Sequence, residues 1–339
     1  MSNQYNKFLI KAGLISLPVV FIFIIYCCLD PFKVIRNYNS YYQSGNSPYV
    51  TLNMDYVSTE TFINNNPTYN YNSFIFGNSR SKFYEMNTWG KYAKTEVGFH
   101  FDASDETLLG ISRKLQFLHN NRTTISNALL ILDYATLSQT KEKKGHLYIS
   151  HPTLSNQSRF LFQLEFFKSF LNPYFLMAYM DFRITNKVKD YMKDRFLLND
   201  APIAYNPIQN EMKFSFFEET IKTNPLEFYS PKKMKVFYHR DIIQKYSRPV
   251  ILNAQFQLLT EISEILKKDK CKIKIVISPL YNQLKLSAKD IKILSNLFGR
   301  ENVFNFSGIN FITNNYQNYY ENSHYRPHVA EYIMKEIYK

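Results

Sequence analysis

The chain has 339 residues, enough for one large domain or two small ones and for a sizeable buried core. Hydrophobic residues make up 45%, which excludes disorder by composition, and 27 Tyr and 29 Phe stand against a single Trp and 9 Gly. The net charge of +13 would suit nucleic acid, but Lys and Arg are scattered without a DNA-binding motif. No nucleic-acid partner is therefore expected, and a basic surface facing anionic lipid or an acidic glycan fits better.

Residues 1–11 read as a short N-terminal tail. Residues 12–29 (AGLISLPVVFIFIIYCCL) carry no charge, and a stretch of about 18 apolar residues is the lower limit for crossing a bilayer. A cleaved signal peptide is the competing reading, but no small-x-small site follows the apolar run. A lipoprotein anchor needs a small residue before its cysteine, where Tyr26 or Cys27 stands. The expectation is an uncleaved transmembrane signal anchor. Lys7 and Lys11 on one side and Asp30, Lys33 and Arg36 on the other leave the positive-inside rule undecided, and the short tail favours a domain outside the membrane. Cys27 and Cys28 sit at the membrane edge, which leaves Cys271 alone in the globular part, so no disulfide within that part and no Cys/His metal pattern is expected. Cys271 opens an apolar strand and reads as a packing residue.

Residues 30–70 are rich in Tyr, Asn and Ser with little periodicity, and read as a juxtamembrane connector with one strand near residues 49–54. An α/β domain then covers residues 71–339. It opens with a strand over 73–76 and a second over 96–101. A helix over 106–118 follows, its face made by Leu108, Leu109, Ile111, Leu115 and Leu118. The run ALLIL at 128–132 predicts a strand buried on both faces of a parallel sheet. Residues 137–247 interrupt the alternation as a long, partly helical insertion with an aromatic segment over 160–177. Glu165, Lys168 and Pro173 argue against a second span there. Two readings remain for it: a helical hairpin packed on the sheet, or an amphipathic surface resting on a membrane or a membrane partner. The pattern resumes with a helix over 249–268, a strand over 273–278, and a helix over 287–298 that Ser287 caps. A short strand over 303–306 and a helix over 327–338 with proline in its first turn close the chain. Alternating strands and helices predict a three-layer α/β fold with a parallel sheet.

Two short motifs bear chemistry. Phe74-Ile75-Phe76-Gly77-Asn78-Ser79-Arg80-Ser81 reads as an apolar strand ending in a small-residue turn that presents a serine. Glu321-Asn322-Ser323-His324 sets a carboxylate three residues before a histidine, just ahead of the last helix. A serine, a histidine and an orienting carboxylate are the parts of nucleophilic acyl chemistry. Histidines 100, 119, 146, 151, 239 and 328 show no ligand spacing, and His100 reads as a strand residue near the second motif block.

With the strand–Gly-x-Ser block first and the acid-x-x-His block last, the chain resembles the SGNH (GDSL-like) hydrolase superfamily. It is most similar to membrane-anchored bacterial members that act in cell-envelope acylation beside membrane-bound O-acyltransferases. The resemblance covers about residue 70 to the end, with 137–247 as an insertion, and implies a flavodoxin-like (SGNH) parallel sheet. It makes Ser79 the nucleophile, His324 the general base and Glu321 the residue that orients it, although the family usually has aspartate there. Asn78 and Arg80 are expected as substrate contacts, with a structural role for Arg80, capping the following helix, as the favoured alternative. The family's second block supplies a glycine N–H to the oxyanion hole. Here Asp102-Ala103-Ser104-Asp105 stands in its place, so an N–H of Ala103 or Ser104 would join that of Ser79. The third block supplies an asparagine, where this chain has Leu132-Asp133-Tyr134, and an ionised Asp133 cannot donate.

The resemblance implies a serine O-acyl esterase or O-acyltransferase that handles an acyl group such as acetyl on an envelope glycan or exopolysaccharide. It needs no cofactor and no metal. The expected location is the bacterial inner membrane, single-pass, with the domain extracytoplasmic. The partners would be the glycan, an acyl donor and a membrane O-acyltransferase. The altered second and third blocks keep a second expectation open: a catalytically silent accessory subunit that binds a membrane O-acyltransferase or a polysaccharide exporter.

Overall fold

A computed structural model describes residues 2–45, 49–95, 97–193, 198–199 and 202–339. In chain order the main elements are α1 (Ser2–Leu29), α2 (Met54–Tyr69), β1 (Ser73–Gly77), α3 (Met86–Ala93), β2 (Gly98–Asp102) and α4 (Leu108–Asn120). They continue with β3 (Asn127–Leu132), α5 (Arg159–Phe170), α6 (Pro173–Thr185), α7 (Ser215–Thr223) and α8 (Asn253–Lys268). The chain closes with β4 (Lys272–Ile277), α9 (Ala288–Phe298), β5 (Val303–Asn305) and α10 (Pro327–Ile337).

The five strands form one parallel sheet in the order β2-β1-β3-β4-β5. Successive side chains of a strand point to opposite faces, so the apolar runs feed two cores at once. Phe74, Phe76, Leu130 and Ile275 pack on one face against Phe62 of α2, Ile111 of α4, Leu259 of α8 and Leu294 of α9. Ile75, Leu129, Ile131 and Val276 pack on the other against Trp89 of α3 and Ile333 of α10. The expected alternation of strands and helices is present, with β2 one residue beyond its expected end and Glu96 outside the described residues. Ser287 caps α9, its side chain accepting from the Lys289 N–H.

Two expectations need correction. The connector over 30–70 is not irregular throughout, because residues 54–69 form α2. The Asn53 side chain caps it by accepting from the Tyr56 N–H. Helix and surroundings bury Met54, Asp55, Val57, Ser58, Thr61 and Phe62 together, so no single apolar stripe marks the helix in sequence. The strand expected near 49–54 shrinks to Tyr49–Val50, paired antiparallel with Leu198–Asn199.

The insertion divides into two parts. The α5–α6 hairpin does not lie on the sheet. Its Phe162, Phe166, Phe170, Phe175 and Tyr179 build a second core with Tyr26 of α1, Phe32, Tyr41 and Tyr56. The part after it edges the sheet: the His100 N–H donates to the Gln209 carbonyl, and the Asn210 amide donates to the His100 carbonyl. The anchor expected over 12–29 falls within α1, where the side chains of residues 12 and 15 lie outside the described residues. Among the described residues, no helix is long and apolar enough to cross a membrane, so the structure adds no support for that span.

Candidate active site

Parallel strands of order 2-1-3-4-5 diverge between β1 and β3, and open α/β sheets hold ligands beyond the carboxyl ends of the strands at such a point. Ser79 lies there, two residues past the end of β1. Gly77 makes the exit tight: its φ is +156°, and a Cβ would stand 2.8 Å from the Ile131 carbonyl oxygen. Asn78 then caps the single 3-10 turn Ser79–Phe83, its side-chain oxygen accepting from the Arg80 N–H at 3.1 Å.

His324 comes from 245 residues downstream, and its Nε2 stands 2.7 Å from the Ser79 Oγ. The spacing of Glu321 and His324 has a simple structural origin. The two residues pair across a two-residue turn between the antiparallel segments Tyr319–Glu321 and His324–Tyr325. In that hairpin the Glu321 carboxylate meets His324 Nδ1, while its other oxygen accepts from the Ser323 N–H at 2.7 Å. A carboxylate only accepts, so Nδ1 carries the proton and Nε2 is left to accept from the serine hydroxyl. Burial alone would raise the Glu321 carboxyl, but hydrogen bonds and charge from His324, with the Ser323 N–H, hold it below its ordinary 4.5.

The Arg80 and Asn78 side chains are engaged with other parts of the protein. Arg80 donates through Nη1 to Asp133 at 2.7 Å and through Nε to the Ser323 carbonyl at 2.8 Å. One guanidinium thus joins the end of β3 to the loop that carries His324. Asn78 is buried, and its amide donates to Asp133 at 2.7 Å and to Thr136 Oγ1 at 3.0 Å. Its side chain holds the serine turn in place, a structural role beside the expected substrate contact. Asp133, the aspartate of the third block, receives both bonds and also caps the short helix Tyr134–Ser138. The second block also departs from expectation. The Ala103 N–H donates to the Gly77 carbonyl at 3.2 Å, so it is committed to the sheet edge and not to an oxyanion. Ser104 follows in the same turn, and among the described contacts none joins it to Ser79 or His324. As the first residue of its turn, Ser79 has an N–H without a partner inside that turn.

A cavity of about 390 Å³ opens beside these groups, lined by Ser79, Glu321 and His324 together with Lys82, Phe83, Phe214, Phe217, Lys233 and Tyr320. Phe83 stands edge-on to the His324 ring at 5.9 Å. Phe214 and Phe217 belong to the insertion, and the Arg326–Glu218 ion pair (2.7 Å) fastens α7 to the hairpin's exit. Sequence reasoning did not find these wall residues. The only local trace of them is that Phe83 follows Ser79 by four residues and Tyr320 precedes Glu321. His100, buried in β2, donates through Nε2 to the Tyr84 carbonyl at 3.2 Å, and burial pulls its imidazole below the ordinary value. Burial pushes the Cys271 thiol up to about 12, which removes it as a nucleophile. A larger hollow of about 780 Å³ near Met86, Lys94 and Gln209 has no serine, cysteine or histidine in its lining. Compared with models of known protein families and with curated proteins, the chain matches none.

Proposed function

We propose that this protein is a serine O-acyl esterase or O-acyltransferase of the SGNH type, acting on a cell-envelope glycan or exopolysaccharide. The observation that carries the reading is the hydrogen-bonded series Ser79–His324–Glu321 at the switch point of a parallel sheet. A serine hydroxyl attacks poorly until a base takes its proton. In this arrangement His324 Nε2 accepts the Ser79 proton as Oγ bonds to the acyl carbonyl carbon. Glu321 remains ionised and stabilises the imidazolium. The imidazolium then protonates the departing alcohol oxygen as the acyl C–O bond breaks, leaving an acyl-serine. Water or a sugar hydroxyl next gives its proton to His324 and takes the acyl group, which regenerates Ser79 and His324. The Ser79 N–H, which has no partner inside its turn, would serve the developing oxyanion, and one such donor is worth about 3–4 kcal/mol.

Residues 12–29 are proposed as a membrane anchor with the domain outside, on the strength of their uncharged apolar run and the exposure of Leu14, Leu17, Val20, Phe21 and Ile24. Release of the full chain from membranes by alkaline carbonate alone would exclude that anchor. The enzymatic reading is tested with a fluorophosphonate, which forms a bond to an activated serine. Wild type labels at Ser79, while Ser79→Ala does not label and loses ester hydrolysis or glycan acylation by about 10⁴-fold or more.

A second reading, a silent subunit that binds a membrane O-acyltransferase or exporter, draws on the commitment of the Ala103 N–H to the sheet and of Asp133 to Arg80 and Asn78. It predicts no labelling of wild type, and a stable complex with an integral membrane protein that survives Ser79→Ala.

A further inference from the structure

We propose that the cavity beside Ser79 is an acyl-chain pocket, and that the acyl group handled is an unbranched apolar chain of about six to eight carbons rather than acetyl. The inference rests on the acyl-transfer reading and adds to it the class of group transferred. At roughly 30 Å³ per heavy atom, the share of one water in the liquid, acetyl fills about a quarter of the space and octanoyl about two thirds. The cavity volume is about 390 Å³.

The walls are apolar in a specific way. Phe83, Phe214, Phe217 and Tyr320 contact one another ring to ring at centroid separations of 5.6–6.5 Å. Lys82 and Lys233 contribute their methylene stems. Lys82 Nζ faces Asp102 at 4.0 Å, and Lys233 Nζ lies over the ring of Phe228 at 3.2 Å and over that of Phe217, in the lining, at 5.3 Å. A sugar ring in this space would set most of its hydroxyls against aromatic rings, which disfavours the glycan as occupant. An alkyl chain leaves nothing unpaired, and each buried methylene strengthens binding by about fourfold. Phe214 and Phe217 come from the insertion, so the insertion determines chain length.

The test uses fluorophosphonates with ethyl, butyl and octyl chains on the full-length protein in detergent. Ser79 Oγ bonds to phosphorus as fluoride leaves with the serine proton, so the labelling rate needs no acceptor. The expected result is a rate at least tenfold higher for octyl than for ethyl. Phe217→Trp, which fills the cavity, should reduce that ratio to about threefold or less without changing the circular dichroism. Labelling of Ser79 at rates independent of chain length overturns the pocket while sparing the acyl-transfer reading. If no probe labels, that reading fails, and the pocket is judged by calorimetric binding of methyl octanoate to Ser79→Ala. Binding that Phe217→Trp abolishes supports the pocket, and no binding overturns it.

Discussion

Glu321 and His324 face each other because a two-residue turn makes them a cross-strand pair, and the carboxylate is held ionised by that contact. A carboxyl whose folded value is depressed contributes stability that is fully present above its ordinary 4.5 and is lost as pH falls through the lower folded value. The stability difference between wild type and Glu321→Gln should therefore be constant above about pH 5 and shrink below it. Melting temperatures measured between pH 3 and 7 check this, and a difference that grows in acid would contradict it. On activity, Glu321→Gln should lower kcat by about 10³–10⁴-fold, since an imidazole without its carboxylate adopts the wrong tautomer. Gly77 is governed by space instead. A Cβ there would meet the Ile131 carbonyl at 2.8 Å and its side chain at 3.0 Å, with φ at +156°. Gly77→Ala should cost about 1–3 kcal/mol in urea denaturation and displace Ser79 from His324, so fluorophosphonate labelling falls as well.

Among the elements, the α5–α6 hairpin has two unlike faces. Its inner rings fill the second core, while Phe160, Leu161, Tyr174, Met177 and Ile184 stand exposed. The hairpin contacts α1 through Phe167, whose ring lies 5.2 Å from that of Phe23. If this outer face rests on lipid, a bimane label on Met177→Cys in the chain reconstituted into vesicles is quenched by brominated acyl chains, while labelling of Ser79 is unchanged. Fluorescence measures the first and a fluorophosphonate gel the second. No quenching would mean that the face has no lipid contact.

Across the whole molecule, the two cores are joined by the connector and by α2, whose Phe62 enters the sheet core while its Tyr56 and Val57 enter the other. The part packed on α1 and the sheet that carries Ser79 therefore share one structural support. Tyr26, near the end of α1, is 1% exposed and packs on Phe167 and Phe170. Removing its ring should cost about 3 kcal/mol. Tyr26→Ala should lower the melting temperature of the detergent-solubilised chain measurably, and no change would mean that α1 ends before it joins the fold.

The alternation of apolar runs, the caps and the two motif blocks were legible in residues 71–135 and 249–339, because burial on both faces of a parallel sheet leaves continuous apolar strands. Ser79 was named from its Gly-x-Ser block and Glu321 with His324 from their three-residue spacing, and the resemblance joined the two blocks. Helix α2 was not legible, since burial on several sides erases the periodicity that marks a surface helix. Only the tertiary structure decided the rest. Whether Ala103 was free to donate depended on where the Gly77 carbonyl lay, and the roles of Arg80 and Asn78 depended on Asp133, more than fifty residues away. The cavity wall joins Phe83 to Phe217 and Tyr320 across intervals that no local pattern spans. Local sequence sets which elements form and which groups can react, whereas contacts between distant segments set which donors remain free and how large a space adjoins the serine.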